Sequence, residues 1–147
     1  MNDAARLARL PRGLAAALQP LRRAAVSSNV RVALVGGAVR DRLLGRPISG
    51  READVAVEGS APDLARAVAA AGPTFRARIH ERFGTATLEM PSGWRIDLAG
   101  TRRETYRHPG ALPDVTPATL EEDLARRDFT VNAMAWELGP SGKGGAL

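Results

Sequence analysis

Glu52 and Asp54 stand two residues apart in an otherwise apolar run, Glu52-Ala53-Asp54-Val55-Ala56-Val57. Positions i and i+2 of a strand point to the same side, so both carboxylates can converge on a divalent cation. Asp97, in a later strand-like run, can join them as third ligand or general base. Upstream, the apolar segment ending at Val35 breaks into Gly36-Gly37. Glycines there let backbone N–H groups approach a phosphate closely, and a following helix points its positive end to the same place. Arg40, one turn into that helix, can reach phosphate oxygens, whereas Asp41 is better placed to hold Arg40. Taken singly, each feature has an ordinary explanation: a solvated strand edge for the acids, a packed turn for the glycines. In combination, metal-ligating carboxylates beside a phosphate cradle point to chemistry on a nucleoside triphosphate.

Such a site needs elements to carry it, and 147 residues suffice for one domain with a real core. The 21 Lys+Arg against 16 Asp+Glu give a net charge of +5, and the basic residues are nearly all arginine, which favours a polyanion such as RNA or a triphosphate. The chain has no cysteine, which excludes disulfides and thiolate metal sites. No apolar run approaches the roughly 18 residues of a membrane span. The Arg-rich start, Arg6 to Arg23, imitates a transit peptide, but its Leu and Ala spacing reads more simply as an amphipathic helix over 3–25, interrupted near Pro11.

Alternating elements follow. Arg31 to Val35 predicts a buried strand, then a helix with Val39, Leu43 and Leu44 on its apolar face, stopped by Gly45-Arg46-Pro47. Ala53 to Val57 predicts a second strand, and Ser60 with Asp63 a reciprocal cap for a helix carrying Leu64, Ala67, Val68 and Ala71, closed by Gly72. Phe75 to Ile79, Thr85 to Met90 and Trp94 to Ala99 are strand-like, with Pro91-Ser92-Gly93 as the hairpin turn between the last two. A polar loop is expected from Tyr106 to Pro117, then a helix from Thr119 to Arg127 with Thr119 and Glu122 as a capping box. Val131 to Leu138 is a short apolar segment, and the Gly- and Ser-rich end from 139 to 147 is expected to be a flexible tail. Trp94, Trp136, Phe129, Val131 and Met134 are expected in the core, and His80 and His108 are isolated. Arg76, Arg78, Arg82, Arg102, Arg103 and Arg107 are basic candidates for a nucleic-acid backbone, each with solvated surface as the plainer alternative.

Four ordered stretches carry a family resemblance: Leu34-Val35-Gly36-Gly37-Ala38-Val39-Arg40-Asp41 with Arg42 to Pro47; Glu52-Ala53-Asp54-Val55; Arg95-Ile96-Asp97-Leu98 with Ala99 to Glu104; and Glu121-Glu122-Asp123-Leu124-Ala125-Arg126-Arg127-Asp128-Phe129-Thr130 with Val131 to Met134. In this order, over roughly residues 31 to 138, they resemble the class II tRNA nucleotidyltransferases (CCA-adding enzymes) and bacterial poly(A) polymerases. The resemblance implies a DNA polymerase β-like nucleotidyltransferase head over 1–138, an α/β (α+β) fold with an antiparallel or mixed sheet flanked by helices. It implies a cytoplasmic, Mg²⁺-dependent enzyme with a two-metal site, adding nucleotides from CTP or ATP to an RNA 3′ end, tRNA foremost. By position, Glu52, Asp54 and Asp97 would bind metal and be catalytic. Gly36, Gly37, Arg40 and Arg127 would bind the triphosphate. The plainer reading of Arg127 is pairing within a helix rich in Glu121, Glu122 and Asp123, with Asp128 tethering the Arg126-Arg127 pair. The family usually carries Asp where this chain has Glu52, whose extra methylene moves the carboxylate outward by on the order of 1 Å. Base choice and tRNA grip belong, in the family, to neck, body and tail domains beyond the head, so a partner domain or subunit is expected to supply them. The alternative from a different class is a catalytically weak or inactive head that binds nucleotide or RNA.

Overall fold

A computed structural model of the chain describes residues 10–72, 74–127 and 133–139. Its strands are β1 (Arg31–Val35), β2 (Glu52–Glu58), β3 (Arg76–His80), β4 (Thr85–Glu89), β5 (Arg95–Gly100), β6 (Arg102–Thr105), β7 (Asp114–Pro117) and β8 (Ala135–Glu137). Its helices are α1 (Arg12–Ser27), α2 (Gly37–Leu43), α3 (Ala61–Ala70) and α4 (Leu120–Ala125), with a 3₁₀ turn at Glu81–Phe83. Six strands form one sheet in the order β3-β4-β5-β2-β1-β8, and β6 pairs β7 in a separate ribbon. Only β2 and β5 run parallel within the large sheet; its other pairings are antiparallel. A parallel pair needs a crossover connection, and here α3 with the β3–β4 hairpin provides it.

Period-2 alternation divides the sheet into two unlike faces. Val32, Leu34, Ala53, Val55, Val57, Ile96 and Leu98 point into the main core, where Leu14, Leu18 and Leu21 of α1 and Leu64 and Val68 of α3 meet them. Helix α1 starts directly after Pro11, whose fixed φ suits a helix entry, and its buried residues recur at helical spacing. The opposite face carries small residues, Ala33, Val35, Ala56 and Ala135, under Leu120 of α4. One short helix cannot cover a six-stranded sheet. Asp54 and Asp97, which alternate with the core residues of β2 and β5, lie on this second face.

Three details differ from expectation. Leu44 follows α2 rather than belonging to its apolar face and is exposed, because the helix ends at Leu43 and Gly45 turns left-handed. Ser60 caps α3 by accepting from the Asp63 amide at 3.2 Å, but the Asp63 carboxylate pairs with Arg66 instead of returning the bond. Part of the expected loop at Tyr106 to Pro117 is strand: Asp114–Pro117 pairs with Arg102–Thr105. Every residue of β7 is exposed, and the strand is only four residues long, with no buried face to mark it. Asp128, Phe129 and Val131 lie outside the described residues, as do residues 1–9 and the end from 140. Trp94, Trp136 and Met134 pack in or against the core, and the Thr119–Glu122 capping box forms with both of its bonds.

Candidate active site

Asp54 and Asp97 are direct register partners on the parallel β2–β5 pair, strands that run roughly 4.8 Å apart. Both line a cleft of about 320 Å³ on the uncovered part of the second face. Its walls displace water from Asp54, and this partial desolvation, reinforced by repulsion from Asp97 and then Glu52, raises the Asp54 pKa even though Arg127 pulls it down. Asp97 is held from the sides. Thr87, its register partner on β4, donates to Oδ1 at 2.7 Å, and Arg95 Nε donates to the same oxygen at 3.2 Å. Both bonds fall on Oδ1, which fixes the carboxylate's rotation while Oδ2 is not engaged by either.

Glu52 sits at the mouth of β2 opposite Arg95, 72% exposed, with a loose 3.8 Å ion pair to it. Exposed pairs of this kind contribute little. Glu52→Ala is therefore expected to change unfolding stability by less than about 0.5 kcal/mol in a urea titration. Among the described residues, no group of three His, Cys, Asp or Glu side chains stands close enough to hold a metal ion. The arrangement is a close Asp54–Asp97 pair with Glu52 beside it.

Gly36 joins β1 to α2 with φ +70° and ψ −142°, a conformation that a side chain would strain. A Cβ placed on it would lie 3.6 Å from Asp54 Oδ2, so the glycine backbone borders the acid directly. Arg40 curls back over Gly37, with its Nη2 3.5 Å from where a Gly37 Cβ would sit and its Nε donating to Asp41 Oδ1 at 2.9 Å. Asp41 thus holds Arg40, as its chemistry suggests. Helix α2 has seven residues, and its first turn with Arg40 lies beside the cleft lining rather than within it.

The wall facing the acids is cationic. Arg102, Arg126 and Arg127 line the cleft together with Asp123. Asp123, only 2% exposed, is the anchor of this wall. Its Oδ1 accepts from the Arg102 amide at 3.1 Å and from Arg126 Nε and Nη2 at 3.1 and 3.0 Å, while Oδ2 accepts from Arg127 Nη2 at 3.1 Å. Burial pushes its carboxyl up, but these bonds outweigh burial and hold it below the ordinary aspartate range. The signal was present: Asp123 precedes Arg126 and Arg127 by three and four residues, the spacing of neighbours on a helix face. Arg127 therefore pairs with one of the helix acids, from two residues beyond the end of α4, and it still lines the cleft. The far end of α4 is fixed too. Glu58 on β2 accepts from the Leu120 amide at 2.9 Å, and Arg31 on β1 bonds both Glu58 and Glu121.

A close pair of hard oxygen donors that repel each other is a donor set suited to Mg²⁺, whose charge would offset the desolvation and then the repulsion that raise the Asp54 pKa. The residues present fit that ion as a pair.

Residues 32–143 match the family described as the poly A polymerase head domain. The chain belongs to that family. This head domain is 45% identical over 91 residues to the A-adding tRNA nucleotidyltransferase of Geobacter sulfurreducens, an overlap of 62% of this chain and 10% of that protein. Among solved structures, a CCA-adding enzyme in apo form superposes with a TM-score of 0.82 at 36% identity, covering 94% of this chain and 32% of that one. A tRNA nucleotidyltransferase complexed with a primer tRNA and an incoming ATP analog superposes with a TM-score of 0.68 at 36% identity, covering 85% of this chain and 33% of that one. The head domain thus spans about a third of the solved relatives and a tenth of the Geobacter protein. Its mixed sheet flanked by helices is the polymerase β-like nucleotidyltransferase fold expected from the motifs.

Proposed function

We propose that this head domain transfers nucleotides from CTP or ATP to the 3′ end of an RNA, tRNA foremost, at a Mg²⁺ site held by Asp54 and Asp97. The observation that carries the reading is the register pairing of those two acids at the floor of a cleft whose other wall is arginine. Bound there, with Glu52 alongside, Mg²⁺ supplies a lowered pKa for the attacking hydroxyl and neutralises charge on the triphosphate and the departing pyrophosphate. The chain's own groups position the reactants. Thr87 and Arg95 set the rotation of Asp97. Gly36, without a side chain, lets phosphate oxygens approach Asp54 over the backbone, with Gly37 and Arg40 bordering that approach. Arg127 faces the acids, and its buried Nε has no hydrogen-bond partner among the described residues, an orphan donor that an anionic acceptor would satisfy.

The test is incubation with Mg²⁺, labelled CTP or ATP, and a tRNA lacking its 3′ end. Incorporation that a chelator abolishes supports the reading; its absence under every nucleotide counts against it. Arg127→Ala is expected to raise the triphosphate dissociation constant by about tenfold or more, as for loss of a charge-assisted bond. An unchanged constant in calorimetry would remove Arg127 from the site.

A second reading rests on Glu52, which faces solvent and Arg95 rather than completing a three-acid group. In that reading the head binds nucleotide or RNA with little turnover, and a partner domain or subunit supplies base selection. Nucleotide binding without incorporation, persisting in Glu52→Asp, would favour it.

A further inference from the structure

Phe83 ends the 3₁₀ turn Glu81–Phe83, and Gly84 in the left-handed region, at φ +61°, swings the chain straight into β4. The residue is 68% exposed, with the Arg82 guanidinium 5.8 Å from its ring centroid. Single exposed apolar side chains are ordinary. This one lines the same cleft as Asp54, Asp97 and Arg127. Strand register orders the cleft wall. Thr87 faces Asp97 and Thr85, which also lines the cleft, faces Ala99, so β4 starts two residues along the strand from Asp97 and Phe83 stands just before that start, across Gly84. The two tryptophans offer no alternative platform, because both are packed in the core.

We infer that Phe83 is a stacking platform for a nucleobase in this cleft, belonging either to the incoming nucleotide or to the 3′-terminal residue of the RNA. The inference rests on the nucleotide-transfer reading above and adds a base-binding surface to its phosphate and metal groups. Every base has a π face, so such a platform gives affinity with little choice between bases, and the Arg82 cation beside the ring adds attraction for the neighbouring phosphate.

Calorimetric titration of the intact chain in Mg²⁺ separates the possibilities with four probes: ATP, ribose 5-triphosphate that has no base, and short RNAs ending in adenosine or in an abasic residue. If the platform takes the incoming base, Phe83→Ala weakens ATP roughly 5- to 100-fold, leaves ribose 5-triphosphate unchanged, and Phe83→Trp restores ATP binding. If it takes the RNA end, the same loss appears only for the adenosine-terminated RNA. Unchanged affinity of Phe83→Ala for both ATP and that RNA, with Arg127→Ala still weakening the triphosphate, overturns the platform and leaves the nucleotide site standing. Failure of wild type to bind ATP, ribose 5-triphosphate and RNA alike overturns both. Phe83 is exposed, so the alanine variant is expected to fold, and coincident thermal unfolding curves check it.

Discussion

Asp54→Asn abolishes nucleotide incorporation and makes the chain more resistant to heat at neutral pH. The two halves of this expected result share a cause. Asp54 is partly desolvated and repelled by Asp97 and Glu52, so its carboxylate is costly in the folded chain and its pKa is raised. A raised acid pKa means that the folded state binds the proton more tightly than the unfolded state, so stability falls as pH climbs from the ordinary aspartate value through the raised one. Above that window the wild type bears the full penalty and the asparagine variant none. The gain in Tm should be present at pH 7 and shrink as pH falls through the window. The same carboxylate is one of the two that the β2–β5 register sets side by side and that the proposed reaction gives to Mg²⁺, and losing several kcal/mol of charge stabilisation corresponds to at least about a thousandfold in rate. Differential scanning calorimetry at two pH values and a primer-extension assay check both halves. Residual incorporation within tenfold of wild type, or a lower Tm at pH 7, would sink the assignment.

Asp123→Ala is expected to act in the opposite sense on stability and in the same sense on the nucleotide. The buried carboxylate accepts from two arginines and one backbone amide, and truncating it leaves all three donors short of an acceptor. Breaking a buried pair costs about 3–5 kcal/mol, and because Arg126 and Arg127 keep 29% and 26% of their side chains in water, about 2–3 kcal/mol is expected here. The loss should appear as a Tm lower by roughly 5–15 °C. Measured well below that temperature, the freed arginines no longer face the acids in one geometry, so KM for the triphosphate should rise more than kcat falls. A merely structural role would lower Tm and leave KM where it was. Acid unfolding gives an independent check. The folded pKa of Asp123 is depressed, so its contribution is complete above the ordinary aspartate value and is lost as pH falls through the depressed one. Asp123→Asn should flatten that part of the acid-unfolding curve.

Much of the site was readable because its chemistry is local in sequence. The i, i+2 spacing of Glu52 and Asp54 and the alternation through Ala53 and Val55 place both acids on one face of β2, and Gly36-Gly37 mark the turn that borders them. The Arg40–Asp41 pairing and the Thr119–Glu122 capping box are likewise neighbours in sequence and in space. What escaped has no local signature. The β6–β7 ribbon has β7 exposed along its whole length, and Phe83 lies among polar residues with nothing nearby to say that it opens onto a cleft. Asp123 was visible as a helix acid, yet its burial depends on Arg102, twenty-one residues upstream.

By itself the amino-acid order determined the family, the run of strands and helices, and which residue types could meet a metal and a phosphate, because patterning, caps and turns act over a few residues. Only the tertiary structure decided the partnership of Asp54 with Asp97, the standing of Glu52 outside a three-acid group, and the turning of Arg102, Arg126 and Arg127 toward the acids. Those outcomes depend on strand order and register, which are set by how a whole sheet buries one face, and no short window of sequence contains that information.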